Sequence, residues 1–303
     1  MSKFQEEYSI AYQSFEDFIL VIFVLVDDLY KKVAPNQVKC RPNIDKALLS
    51  DSEIITIALC GEIVGVDSEN AWYSFVKKNY RHLFPRMCDR SQFNRTRRNL
   101  LQVTDLIFTQ LAGQFADDVF IADSFPLEVC KFGRAHFCKV FRSDGATYGK
   151  NPSKKQTYFG FKVHVITTSA GAVKAFEITP ANVDDRIALE DLTLIIKTVS
   201  VIIGDKGYIS EPLAERLKAQ GQTLWALKRK NARKPYQLTL QQKLFKQRRR
   251  IETTFSQMTE QLNAQRVLAK TFSGLSLRLL TKFLAFNLCL LLAQSSHIKS
   301  LIF

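Results

Sequence analysis

Hydrophobic positions follow two different periods along the chain, and the change comes near residue 116. Before it, apolar residues recur at helical spacing. Residues 14–33 make one amphipathic run that closes at Pro35. LSDSEIITIALCGEIVG (49–65) opens on Ser50 with Glu53 three residues on, a capping box. SENAWYSFVKKNY (68–80) stops at the FPR turn, and DRSQFNRTRRNLLQVTDLIFTQLAGQF (89–115) is predicted as a further helix capped by Asp89 or Ser91. Beyond 116 the period becomes two. VFIADS (119–124) reads as a short strand; TYFGFKVHVITT (157–168) and AVKAFEITP (172–180) read as a hairpin joined by SAG. A helix over about 184–198 leads to the strand SVIIGD, a helix over about 211–219, the strand QTLWALK (222–228) and a long helix over about 238–262.

The order β-β-β-α-β-α-β-α predicts an α/β, ribonuclease H-like domain, a mixed sheet with helices on both faces, preceded by an all-α module. Three regions follow. Residues 1–115 are expected to be a helical DNA-binding region of helix-turn-helix type. Residues 116–265 are expected to form the ribonuclease H-like domain, with a basic insertion near 228–240. Residues 266–303 are a C-terminal helical segment expected to pack on the catalytic domain. The apolar runs FILVIFVLV (18–26) and RLLTKFLAFNLCLLLA (278–293) fall short of the roughly 20 apolar residues of a membrane span, so both are read as buried helices and no membrane is expected.

Charge changes the picture. The 303 residues carry a formal net charge of +14, which fits a polyanionic partner better than a neutral metabolite. Residues 228–250 hold ten Lys/Arg and no acid, and residues 131–162 hold eight against Asp144 alone. No acidic residue follows Glu260. Such clustering is the footprint of nucleic-acid binding, although a basic surface kept for solubility has the same look. The six cysteines form no CxxC pair and no basic-then-apolar leader opens the chain, so free thiols in a reducing cytoplasm are expected. Cys130, His136 and Cys138 lack a second ligand pair, and zinc is not expected there.

Two strands end on carboxylates, VFIAD at Asp123 and VIIGD at Asp205. In the predicted order these strands are neighbours, and two close carboxylates repel unless a cation sits with them. Hard oxygen ligands of this kind suit magnesium. On the last helix, QRRRIETTF places Glu252 beside a stripe of Leu244, Ile251, Phe255, Met258 and Leu262, with Arg248 and Arg249 one turn earlier. Glu252 is therefore expected to aim back at the sheet rather than at solvent. Taken singly, each aspartate could be a turn former or cap, and Glu252 a surface partner of Arg248 or Arg249. Their positions on three elements of one fold make the stronger case.

IADSFPLEVC, TYFGFKVHVI, EITPANVDD, VIIGDKGY and RRRIETTFS together resemble the catalytic domain of DDE transposases of bacterial insertion sequences. With LSDSEIITIAL and DRSQFNR added, the chain is most similar over nearly its full length to the family of insertion sequence number 982. The resemblance implies that Asp123, Asp205 and Glu252 are the catalytic, metal-holding triad. Arg248 matches the arginine one turn before the glutamate, and Lys162 and His164 match a recurring Lys-x-His. The family's tyrosine before that arginine and lysine after the glutamate are Phe245 and Thr259 here.

The implied activity is cleavage at element ends and transfer of the 3′-OH to target DNA, with Mg2+ as cofactor and Mn2+ able to substitute. Implied partners are double-stranded DNA, both terminal repeats and target, and a second copy of the chain in a dimer on DNA, in the bacterial cytoplasm at the nucleoid. Candidate DNA contacts are Arg90, Arg95, Arg97, Arg98, Lys162, His164, Lys206, Lys228, Arg229, Lys230, Arg248 and Arg249. Two other readings share these features: a metal-dependent nuclease that never joins strands, and a non-catalytic DNA-binding protein derived from a transposase.

Overall fold

A computed structural model describes residues 14–151, 155–196, 199–228, 232 and 235–295. They divide into two compact units: a helical one of 1–111, 261–263 and 273–303, and an α/β one of 112–260 and 264–272.

In the helical unit, α1 (Phe15–Val33) and α2 (Asp51–Ile63) each begin with a closed capping box, Ser14 with Asp17 and Ser50 with Glu53. α3 (Glu69–Asn79) is capped by Ser68. The single helix predicted over 89–115 is two, α4 (Arg90–Asn99), capped by Asp89, and α5 (Leu101–Gln114). The break falls at buried Leu100, so the polar first segment and the apolar second one keep separate buried faces. Phe93 and Arg97 are buried on α4, and Val103, Ile107 and Leu111 on α5.

The C-terminal helix α9 (Phe272–Ser295) groups with this unit from residue 273, while residues 264–272 group with the α/β unit. The physical reason is charge. Arg278 and Lys282, one turn apart, both reach buried Glu62 of α2, at 3.1 and 2.5 Å. Arg278 also donates to the Asp67 carbonyl at 2.8 Å. Apolar enough by length and composition to cross a membrane, α9 is largely buried, with Phe283, Leu284 and Leu288 fully so.

The α/β unit has the predicted mixed α/β sheet. Its strands are β1 (Val119–Glu128), β2 (Thr147–Asn151), β3 (Gln156–Thr168), β4 (Val173–Pro180), β5 (Ser200–Gly204) and β6 (Gln222–Ala226). The sheet runs β2-β3-β1-β5-β6, with β4 also paired to β3. Antiparallel β1–β3–β4 joins parallel β1–β5–β6. β2, which the sequence pattern did not suggest, extends the free edge of β3 before β4 takes over at Phe161.

Alternation along the strands sorts the sheet into two layers. Phe120, Ala122, Ile166, Ala175 and Ile202 pack with α6 (Asp185–Thr193) and α7 (Glu211–Ala219) through Leu189, Leu192, Leu213 and Leu217. Val119, Val201, Ile203 and Leu227 pack on the other face with Leu240 and Leu244 of α8 (Leu238–Leu262). The core therefore lies on both sides of β1 and β5. β1 outlasts its predicted end at 124 and runs on against β3 to Glu128, so Asp123 lies mid-strand, just past the parallel pairing with β5.

Candidate active site

β1 and β5 are parallel, and the last residues in register are Ile121 and Ile203. Asp123 and Asp205 each stand two residues further, so both strands deliver a carboxylate at the same level, on the α8 side. Each is fixed by a backbone amide. Asp123 Oδ1 accepts from Ser124 N at 2.9 Å, and Asp205 Oδ1 accepts from Gly207 N at 2.7 Å as the cap of a short 3₁₀ turn. The glycine behind Asp205 serves this close approach, because a Cβ on Gly207 would lie 2.9 Å from that same oxygen.

α8 faces them along the predicted stripe. Leu244, Ile251, Met258 and Leu262 are buried, and half-buried Phe255 meets Phe125 of β1 edge to face at 5.0 Å. Arg248, on the same helix, bridges two acids. Its Nη2 lies 2.8 Å from Asp123 Oδ2, and its Nη1 lies 2.5 Å from Glu252 Oε1. The structure thus brings Asp123, Arg248 and Glu252 into one chain of contacts. Glu252 differs from expectation: its side chain is 52% exposed and turned along the helix to Arg248 rather than in towards the sheet. The i, i+4 pairing explains this, because Arg248 offers a nearer charge than the strand ends do.

Electrostatics mark Asp123 as the strained member. Burial pushes its carboxyl up to about 6; Arg248 and the Ser124 amide pull it down, and Asp205 and Asp185 push it further up. Burial works against the charge of Arg248, yet Asp123, Glu252 and Asp205 hold that guanidinium above its ordinary value. Buried Tyr208 is raised by burial and then by the charges of Asp185, Asp123 and Asp205.

The remaining predicted contacts divide sharply. Arg90, Arg95 and Arg98 are exposed on α4, and Lys206 and Arg249 are exposed on the α/β unit. Arg97 is not available: it is buried, 3.1 Å from Glu69 and 3.7 Å from Glu62, because it follows Phe93 by four residues on the inward face. Lys162 and His164 also point inward, so the expectation that they meet DNA is corrected. Lys162 Nζ donates to the Val183 carbonyl at 2.9 Å, and His164 is 1% exposed with Nε2 2.8 Å from Thr179 Oγ1. Lys228 is half-buried with its ammonium 5.1 Å from the centre of the Tyr236 ring. Arg229 and Lys230 lie outside the described residues.

One acid of this neighbourhood went unread in the sequence. Asp185, the first residue of α6, accepts from Ser124 Oγ at 2.9 Å and lies 3.3 Å from both Lys162 Nζ and His164 Nδ1. Burial pushes its carboxyl up, but the His164 contact, the Lys162 charge and Ser124 outweigh that and hold it below the ordinary range. Its sequence signal was the pair Asp184-Asp185, of which only Asp184 is the helix cap.

Among the described residues no three His, Cys, Asp or Glu side chains close around a common point, and Arg248 is the cation between Asp123 and Glu252. The donor set nevertheless fits a divalent ion. It offers hard carboxylate oxygens from two adjacent strands, Asp123 within β1 and Asp205 just after β5, and Asp123 is an acid whose ionisation its own surroundings oppose.

The comparisons agree with this geometry. A family model described as a transposase DDE domain matches residues 113–267, just over half the chain and all of the sheet. No curated protein matches. A piggyBac transposase, solved by cryo-EM as a synaptic complex with hairpin DNA, has the same fold with a TM-score of 0.54 at 13% identity. The alignment covers 91% of this chain and 75% of that one. DDE transposases generally use divalent metal ions. With two carboxylates just past the parallel pairing of β1 and β5 and a family model that spans the whole sheet, the chain belongs to the DDE transposases.

Proposed function

We propose that this transposase cuts DNA at the ends of a bacterial insertion sequence of the number 982 family and joins the freed 3′-OH ends to target DNA. The observation that carries the reading is the placing of Asp123 and Asp205 each two residues beyond the last parallel pair of β1 and β5, with Arg248 of α8 reaching Asp123 and Glu252. Asp123, Asp205 and Glu252 hold two divalent ions, Mg2+ with Mn2+ as substitute. When bound, such a pair stabilises charge on the attacking and leaving oxygens of an in-line displacement at phosphorus.

The chain's own residues do the positioning. The Ser124 and Gly207 amides aim the two aspartates. Arg248 keeps a buried Nε–H without a partner, a donor suited to a phosphate oxygen. Exposed Arg90, Arg95, Arg98, Lys206 and Arg249 track the DNA backbone. Because two element ends must be held at once, the working form is a dimer on DNA, in the bacterial cytoplasm. The synaptic complex of the piggyBac transposase supports such an assembly.

The test uses purified protein, a labelled duplex carrying the DNA that flanks its own reading frame, supercoiled plasmid and Mg2+. Wild type is expected to nick the duplex and join it to plasmid, and Asp205→Asn to do neither. Nicking without joining would replace the reading with a nuclease, and DNA binding without cleavage would replace it with a non-catalytic binder.

A further inference from the structure

Asp123 and Ser124 are consecutive on β1, so their side chains leave opposite faces of the sheet. Asp123 points to α8, as Phe125 does two residues later against Phe255. Ser124 points to the α6 layer, where its cross-strand neighbour is His164 of β3. There the first residue of α6 receives it: Ser124 Oγ donates to Asp185 Oδ1 at 2.9 Å.

The same oxygen is approached from two further directions, by Lys162 Nζ and His164 Nδ1, each at 3.3 Å. His164 is held from its other side by Thr179 Oγ1 at 2.8 Å, and Lys162 by the Val183 carbonyl at 2.9 Å. One hydrogen bond from β1 and two nitrogens of β3 at ion-pair distance meet on one oxygen atom of α6. A contact needed only to dock a helix would not require a buried imidazole, a lysine and a serine on the same atom. What lies one peptide bond away is the Asp123 carboxylate, aimed by the Ser124 amide at 2.9 Å.

We propose that Asp185 is a positioning residue of the active site: from the opposite face of the sheet it clamps Ser124, and through the Ser124 peptide it fixes Asp123. Lys162 and His164 are parts of this clamp rather than DNA contacts. The proposal rests on the reading of Asp123 as a metal-holding acid. Partners that orient a metal ligand are commonly worth about 10–100-fold in affinity or activity.

The experiment compares Asp185→Ala, Ser124→Ala, the double variant and Asp185→Asn, each first shown by thermal melting to be folded. Affinity for Mn2+ alone is measured by electron paramagnetic resonance, DNA nicking by gel, and hydrogen exchange at the Ser124 amide by NMR. Asp185→Ala and Ser124→Ala are each expected to weaken Mn2+ binding and nicking by about 10–100-fold. The double variant should be no worse than the poorer single one, because both remove one clamp. Asp185→Asn, whose amide oxygen still accepts from Ser124, should recover most of the loss. Exchange at Ser124 should quicken in both alanine variants and not in Asp185→Asn.

Losses that multiply in the double variant would overturn the clamp, as would Ser124 exchange unchanged by Asp185→Ala or an Asp185→Ala protein that binds Mn2+ like wild type. Failure of the underlying reading looks different: wild type would not nick DNA, and Asp123→Asn would leave Mn2+ affinity unchanged, whatever the exchange data show.

Discussion

Both units bury charge, and they do so with opposite balance. In the helical unit one carboxylate, Glu62, is 5% exposed and meets three cations, Arg97 at 3.7 Å, Arg278 at 3.1 Å and Lys282 at 2.5 Å. Lys282 also donates to the Leu262 carbonyl and Arg278 to that of Asp67, so those positive charges are used up. In the α/β unit the acids are in excess. Asp123, Asp205, Asp185 and Glu252 share Arg248 and Lys162, and one of them, Asp123, is pushed to about 6. A buried ion pair by itself is weak evidence of anything beyond structure. The contrast is what informs: around Glu62 the cations outnumber the carboxylate, while around Arg248 the acids outnumber the cation and Asp123 carries the penalty.

The sharpest break of this comparison is Asp205→Asn. The asparagine oxygen can still accept from Gly207 N, so the fold should stand, while DNA cleavage falls by at least about 10³-fold through loss of several kcal/mol of metal-held stabilisation. Thermal melting beside a nicking assay checks both halves. Next in size is Glu62→Ala, which takes the carboxylate from Arg278 and fully buried Lys282 and leaves Arg97 with Glu69 alone. Denaturant titration should show a loss of about 3–5 kcal/mol, with cleavage per folded molecule unchanged.

A smaller effect sharpens the electrostatic side. The carboxyl of Asp123 is raised from 3.8 to about 6 in the fold. Below 3.8 it is protonated in folded and unfolded chains alike and contributes nothing. Between 3.8 and about 6 the unfolded chain releases the proton first, so stability falls as pH rises, and above 6 the penalty is constant. Metal-free wild type should therefore carry a loss on the order of 2–3 kcal/mol from this residue at pH 7 that Asp123→Asn lacks. Stability curves of the two proteins from pH 3 to 7 in chelator measure it. The smallest effect belongs to exposed Arg249→Ala, expected to weaken DNA binding a few-fold and to lower the slope of log affinity against log salt by about 1.

Much of this was legible from residue order. Five of the sheet's six strands, the Ser50 capping box and the stripe on α8 are local patterns, and so are Asp123 and Asp205 after their apolar runs and the four-residue spacing of Arg248 and Glu252. What stayed hidden depends on pairing between distant segments. Lys162 and His164 drew notice, yet only the register Ser124↔His164 and the start of α6 show that both turn to Asp185. Arg97 looked like one more surface cation in a basic run. Its place four residues after Phe93 was the available sign that it faces inward, and its partners Glu62 and Glu69 lie on other helices. The helix α9 hid its destination for the same reason, since Arg278 and Lys282 find their acid more than 200 residues earlier.

The most direct test of the acid-rich site is Mn2+ binding, followed by electron paramagnetic resonance, to the complex of the protein with its end DNA. Wild type, Asp123→Asn and Asp205→Asn are compared at matched occupancy by DNA. The account predicts Mn2+ held by wild type and lost from either variant. Mn2+ held equally well by all three proteins would contradict it, and Asp123 and Asp205 would then be structural carboxylates only.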